Sequence, residues 1–339
     1  MKNRLILSVI ALVASVAANA QIMPDSTVQI VAYWSKGDRV AYDCTNTTYD
    51  ADENDNRSNV NAQSETRIFE VLDAREDGYT LRLSYKNVFS PKPVEYLTPE
   101  EIKELSENYT ITFNTDQYGS VTGIVNAGEC RAVLEKIIDG MVDRKWKEMD
   151  TDVRKTLSKQ QLTDYIKSAF CSDEVLALTV STDISPFFTY HGTRLDTTQV
   201  YSYPSDYTLP IGGNQKCEVE TKLWVDEKLT DTTSAVICTE ALADKDVLIP
   251  IVIDYTLQYA QSVAGMTGQK LTEDDIAELS KKLEGQFLDM TMNAFSTTEI
   301  HLSSGWPVQW FNTRVVGTVG PDRTVRKVFK QTARLSENE

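Results

Sequence analysis

Residues 66–88 read TRIFEVLDAREDGYTLRLSYKNV, and this stretch decides the fold class. Its two arms, Thr66–Leu72 and Tyr79–Val88, are rich in β-branched and aromatic residues with partial apolar–polar alternation, which is typical of strands. Asp77-Gly78 lies between the arms and favours the tight turn of a hairpin. The stretch therefore predicts two neighbouring antiparallel strands.

Further strand signals lie on both sides of this hairpin. Asp38–Thr48 is β-rich, and Tyr109–Phe113 and Val121–Val125 flank a turn at Tyr118-Gly119. The second half contains further strand-like segments: Lys216–Val225, Ser234–Glu240, 286–302, 307–319 and 324–335. Because hairpin signals outnumber the spacing of βαβ units, the sequence predicts antiparallel sheets built from meanders and hairpins.

Helix signals interrupt the strands. Thr98-Pro99-Glu100-Glu101 combines a capping threonine, a proline at the first helical position and a glutamate that can bond back to the cap. Apolar residues recur at three- and four-residue spacing over 126–148 and again over 158–170, which predicts two amphipathic helices. The predicted fold class is α+β, with antiparallel sheets in both halves and this helix pair packed on a sheet face.

The chain also divides into two predicted lobes, 31–200 and 201–336, because prolines and glycines interrupt all periodicity over 191–213. LTPEEIKELS at 97–106 and LTEDDIAELS at 271–280 match at six of ten positions. Two interpretations remain open: a duplicated sheet-plus-helix unit, or two helix starts that use the same capping chemistry.

The N-terminus indicates export. Lys2 and Arg4 precede the apolar run Leu5–Val16, and Ala18-Asn19-Ala20 is a small-residue cleavage site, which together predict a secretory signal peptide over 1–20. Cleavage between Ala20 and Gln21 would leave a mobile leader over 21–30. The predicted location is therefore periplasmic or secreted. The richest later apolar run, 247–255, is broken by Pro250 and Asp254, so we expect a soluble mature chain without a transmembrane segment.

The charge of the chain limits the classes of binding partner, and its cysteines limit the possible disulfide and metal chemistry. The chain has a net charge of −16, which disfavours nucleic acids and anionic lipid surfaces as partners. Its five cysteines include no C-x-x-C pair. A hairpin that turned at Asp226–Leu229 would place Cys217 opposite Cys238, so a disulfide between them is one prediction and two buried thiols the other.

The polar segment Tyr49–Glu65 is predicted to be a long exposed loop. Within it, oxygen-bearing side chains alternate from Asp50 to Asn56, as at the start of a calcium loop, but the turn glycine is missing and Asn61 stands where a glutamate is needed. Elsewhere there is no H-E-x-x-H, G-x-S-x-G, P-loop or dinucleotide motif. The sequence therefore predicts no catalytic residue, no metal and no cofactor.

An aromatic group near the C-terminus is the candidate binding site. On a strand, Trp306 and Trp310 point to one face and Phe311 to the other. If exposed, the tryptophans would form a platform for a sugar or a slot for an apolar ligand. If buried, they are part of the hydrophobic core.

Several motifs in order carry a resemblance: Trp34-x-x-Gly37-Asp38, the Asp77-Gly78 hairpin, 115–123 (TDQYGSVTG), the helix pair and 304–308 (SGWPV). Together they resemble secreted proteins of unknown function from Gram-negative envelopes. The strand order with a helical segment laid across it also resembles the half-barrels of periplasmic lipoprotein carriers, in topology only.

The predicted function is a non-catalytic envelope protein that binds an apolar or glycan-like ligand, or an envelope partner, on a sheet face. Two alternatives from other classes remain. One is a secreted hydrolase with a carboxylate pair brought together by the fold, and the other is a purely structural envelope protein.

Overall fold

The strands of both halves form one antiparallel sheet. The computed structural model describes residues 25–89, 97–151, 154, 158–208, 216–243, 245–266, 271–286, 289–319 and 324–336. The strands are β1 (Thr27–Gln29), β2 (Arg39–Ala51), β3 (Arg57–Arg75), β4 (Gly78–Phe89), β5 (Ile111–Asp116), β6 (Val121–Ile124), β7 (Arg194–Asp196), β8 (Val200–Thr208), β9 (Lys216–Val225), β10 (Ser234–Ala243), β11 (Asp289–His301), β12 (Pro307–Val319) and β13 (Thr324–Leu335). Eleven of them pair in the order β6-β5-β4-β3-β2-β13-β12-β11-β10-β9-β8, and β1 pairs with β7.

Helices begin close to the predicted starts at Thr98, residue 126 and Ser158, whereas the 22-residue helix Lys245–Met266 was not predicted. They are α1 (Pro99–Asn108), α2 (Ala127–Glu148), α3 (Lys159–Phe170), α4 (Asp173–Thr179), a π-helical turn (Val180–Ile184), α5 (Ser185–Phe188), α6 (Lys245–Met266) and α7 (Glu273–Gln286). Thr98 and Glu101 form the predicted capping box of α1. The predicted α+β class is confirmed. None of the described helices is both long enough and apolar enough to cross a membrane.

The first and the last strand of this sheet along the chain, β2 and β13, lie next to each other near its centre. β2 pairs with β13, with Cys44 opposite Ala333, so one meander (β2–β6) and a second (β8–β13) share one hydrogen-bonded ladder. A helix follows the third strand of each meander, and Thr272 caps α7 as Thr98 caps α1. Related lobes and shared capping chemistry are both compatible with this arrangement.

We call the face that carries residues 180–193 and α6 the inner face. Phe187 and Phe188 of the crossing segment (residues 173–193) pack there against Tyr42, Phe69 and Phe113, with ring centroids 4.6–5.5 Å apart. These residues belong to the largest core cluster, the aromatic cluster. The α2–α3 pair packs against itself, and α2 reaches the aromatic cluster through buried Cys130.

Two predicted irregular segments are instead strands. The leader was expected to be mobile, but Thr27–Gln29 pairs with β7, and Val28 and Ile30 are fully buried. The expected loop Tyr49–Glu65 is mostly hairpin, because the pairing of β2 with β3 continues as far as Ala51 and Arg57 and leaves only 52–56 as the turn. The Asp52 carboxylate closes that turn by accepting the backbone N–H groups of Asn54 and Asn56. Residues 1–24, with the predicted signal peptide and cleavage site, and the turn at 320–322 lie outside the described residues.

The predicted register of the β9–β10 hairpin is wrong. Cys238 lies opposite Trp224, and Cys217 lies opposite Tyr207 on β8. The connection is longer than the predicted turn because Asp226 and Asp231 each accept backbone N–H groups within it. Cys217 and Cys238 therefore lie on opposite faces of the sheet, and both are free and buried.

Candidate functional site

A cavity of about 400 Å³ lies on the inner face of the second meander, beneath the crossing segment. Three core clusters supply its walls. Trp310 belongs to the aromatic cluster, and Leu223 to a cluster around β1 that also contains Val28 and Ile30. Ala241 and Ala294 belong to a cluster with Leu248 of α6, the α6 cluster. Each cluster thus contributes at least one cavity residue, and the cavity lies between the three clusters.

The described lining carries no charged side chain. The crossing segment and five strands supply it: Ser181, Ser185, Pro186, Thr189, Tyr190, Thr193, Tyr203, Tyr207, Thr221, Leu223, Thr239, Ala241, Ala294, Phe295, Ser296, Thr298, Trp310 and Asn312. Eleven of these 18 residues carry a hydroxyl, and eight of the eleven are threonine or tyrosine, which add methyl or aromatic carbon. Such a surface can hold an apolar body and hydrogen-bond a few polar groups.

A band of linked hydroxyls crosses the cavity wall. Thr239 Oγ1 and Ser296 Oγ lie opposite each other on β10 and β11, 2.5 Å apart. Both also bond the hydroxyl of Tyr190, whose pKa burial raises to about 12, so this phenol is a neutral donor at any physiological pH. The band ties the crossing segment to the sheet beside the cavity.

Thr298 lies two residues beyond Ser296 on the same face of β11, but it forms no hydrogen bond with the band. Its side chain is only 1% exposed, and Oγ1 has no hydrogen-bond partner among the described residues. A buried hydroxyl without a partner costs free energy, typically 1–3 kcal/mol. Because Thr298 lines the cavity, a ligand oxygen or nitrogen placed there would satisfy it.

A buried ion network fixes the crossing segment to the first meander at Asp183, between the lining residues Ser181 and Ser185. Arg67 of β3 is 4% exposed and contacts Glu65 (Nε–Oε1, 2.7 Å) and Asp183 (Nη2–Oδ1, 2.9 Å). The Tyr85 hydroxyl donates to Asp183 Oδ2 at 2.8 Å. Burial alone would lower the pKa of Arg67, but the neighbouring Asp183, Cys44 and Glu65 outweigh it and raise that pKa. Both carboxylates are thus bound to one permanent cation.

The predicted aromatic residues separate in the structure. Trp306 is buried and stacks on Trp34 with ring centroids 4.4 Å apart, away from the cavity lining. Trp310 is buried and lines the cavity. Phe311 lies on the outer face and is 37% exposed. Of the three, the structure places only Trp310 where a cavity ligand would touch it.

Most of the cavity residues were not predicted from the sequence. Serine, threonine and alanine at alternate strand positions form no recognisable motif, and the lining residues lie far apart in the sequence, on the crossing segment and five strands between 181 and 312. One signal was present: Tyr201, Tyr203, Ser205 and Tyr207 alternate along β8, so one face of that strand is aromatic and hydroxylated. Within the described residues no group of three His, Cys, Asp or Glu side chains could hold a metal ion.

Comparisons with known proteins identify no family. No family model and no curated protein matches the chain. Among solved structures, the chain is similar to lipovitellin, from a structure titled "Lipid-protein interactions in lipovitellin", with 10% identity and a TM-score of 0.40 over 89% of this chain and 25% of that one. It thus spans about a quarter of the lipovitellin chain. An outer membrane channel from Pseudomonas putida F1 matches with 6% identity and a TM-score of 0.18 over 91% and 98%.

Proposed function

We propose that this protein is an exported, non-catalytic binding protein that holds a small, largely apolar ligand in the inner-face cavity. The observation that carries the proposal is an uncharged cavity of about 400 Å³ that contains a buried hydroxyl without a partner, on Thr298. Its volume falls within the range of small-molecule sites, which are mostly apolar with a few placed polar groups. The predicted signal peptide over 1–20 supports export.

The chemistry of the lining favours binding over hydrolysis. Hydrolysis of a glycoside would need two carboxylates facing a cleft, and none of the described lining residues is acidic. Glu65 and Asp183 both bind the buried Arg67 guanidinium, and this ion pairing occupies them structurally. Trp310, Leu223, Ala241 and Ala294 offer the apolar contacts, and the hydroxyl band offers the hydrogen bonds.

Native mass spectrometry of the protein purified from its own source tests the proposal directly. We expect a co-purifying small molecule that is released on unfolding. Binding of the apolar fluorophore N-phenyl-1-naphthylamine provides a second readout, since its emission rises in an apolar site.

Cavity-filling variants make the test specific to this site. Ala294→Leu and Ala241→Leu place additional carbon atoms in the cavity, so we expect them to weaken fluorophore binding at least about tenfold, while overpacking costs about 1–3 kcal/mol of stability. Ala74→Leu adds the same atoms at an exposed position of β3 and should change neither quantity. An apo protein in native spectra, together with unchanged fluorophore binding in both filled variants, would refute the proposal.

A further inference from the structure

A single arginine borders the cavity at the end nearest α6. Arg314 of β12 lies directly opposite Ala294, a lining residue of β11. It also makes a hydrogen bond to Tyr207, another lining residue, across the inner face from β8. Directly opposed strand residues have neighbouring side chains, so Arg314 lies beside the cavity lining, in contact with Tyr207.

The guanidinium has unused binding capacity. Its Nε is buried and has no hydrogen-bond partner, and no carboxylate of the described residues forms an ion pair with Arg314. A guanidinium has five N–H donors in a planar fork, which suits carboxylate and phosphate oxygens. It bonds the Tyr207 hydroxyl, and its central carbon lies 5.7 Å from the centroid of the Phe329 ring.

A second cation lies nearby. Lys327 Nζ lies 5.9 Å from the centroid of the same Phe329 ring. Asp50 faces Lys327 across the β2–β13 pair, but its carboxylate accepts the amide of Asn59 at 2.7 Å. Two cations therefore flank one ring beside a cavity whose described lining is uncharged, in a chain with a net charge of −16. The positive potential around these two cations favours the binding of an anionic group.

We propose that the ligand is an amphiphile with an anionic head group, whose carboxylate or phosphate pairs with Arg314 while its apolar body fills the cavity. This assignment rests on the proposed function and adds the chemical class of the ligand. The ligand's head would bond guanidinium N–H groups of Arg314, and Thr298 would bond a polar atom of the body. Charge-assisted hydrogen bonds to arginine are among the stronger ones in proteins.

Isothermal titration with matched ten-carbon amphiphiles tests the head group. The wild type should bind decanoate and decyl phosphate about tenfold more tightly than decan-1-ol, and decyltrimethylammonium more weakly than any of them. The ratio of the two anions distinguishes a carboxylate source from a phosphate source. Arg314→Gln should reduce anion binding to the level of decan-1-ol and leave decan-1-ol binding within about twofold.

Two further variants keep the result interpretable. Arg57→Gln removes the same group from the outer face, where Arg57 stacks 4.7 Å from the Tyr49 ring centroid, and should retain the anion preference. Arg314→Lys retains the charge and should recover most of the preference, which separates charge from misfolding. If neutral and anionic amphiphiles bind equally, or Arg314→Gln retains the preference, only the head-group assignment is overturned. If none of the four binds, the proposed function and this assignment both fail.

Discussion

His191 should make the folded protein sensitive to acid. The imidazole is 3% exposed and lies between Trp34 and Phe188, with ring centroids 5.4 and 5.6 Å away. Nε2 lies 2.9 Å from the Gly305 carbonyl oxygen, so the neutral tautomer with hydrogen on Nε2 donates there, and Nδ1 has no partner. Burial lowers the pKa of His191 from 6.5 to about 4.

The pKa shift sets both the sign and the window of the effect. Well above pH 6.5 the imidazole is neutral in both the folded and the unfolded chain, so its titration does not change the stability. As the pH falls from 6.5 towards 4, the unfolded chain takes up a proton that the folded chain does not, so stability is lost. The full shift corresponds to about 3 kcal/mol, of which about 2.5 kcal/mol should appear between about pH 7 and pH 4.5.

Urea denaturation followed by far-ultraviolet circular dichroism at several pH values measures this loss. His191→Gln keeps an N–H donor for Gly305 but cannot titrate, so its free energy of unfolding should fall by about 2.5 kcal/mol less than that of the wild type over the same range. His301→Gln alters an exposed histidine that contacts Ser304 and serves as the control. Parallel pH profiles for the wild type and His191→Gln would refute the reasoning.

Three further predictions follow from the strands and the N-terminus. Thr298→Val removes an unpartnered hydroxyl, so in urea denaturation the ligand-free protein should be unchanged or up to about 1 kcal/mol more stable. Thr239→Val breaks the hydrogen bond to Ser296 and should cost about 1 kcal/mol of stability. A larger loss of stability in Thr298→Val than in Thr239→Val would contradict the assigned hydrogen bonds. Pro204 lies in the edge strand β8 and supplies no N–H, so Pro204→Val should increase concentration-dependent self-association in light scattering; an unchanged mass would argue against an edge-protecting role. N-terminal sequencing of the exported protein should begin at Gln21, and a retained residue 1 would contradict the predicted signal peptide.

Local signals in the sequence predicted most of the elements, although not α6, and predicted the connections between them poorly. Glu76 and Asp77 form the turn of the predicted β3–β4 hairpin, with Gly78 as the first residue of β4, and Ser158 and Gln161 form the cap of α3. These features depend on residues close together in the chain. The β9–β10 register failed because two aspartates stabilise a longer connection, which alternation along the strands does not reveal. Thr27–Gln29 was missed because its partner β7 is far away in the sequence.

The position of the cavity follows from a difference in side-chain size between the two meanders. On the inner face of the first meander, Phe69, Leu83 and Phe113 are large, and Phe187 and Phe188 of the crossing segment pack among them. At the centre of the second meander the corresponding inner positions of β10 and β11 hold small residues: Thr239, Ala241, Ala294 and Ser296. The same segment crosses both halves and is fixed to the first by Arg67, so it cannot settle onto the smaller side chains of the second. Small residues at alternate positions of two central strands, opposite a meander filled with aromatic rings, are therefore the sequence feature that marks this site.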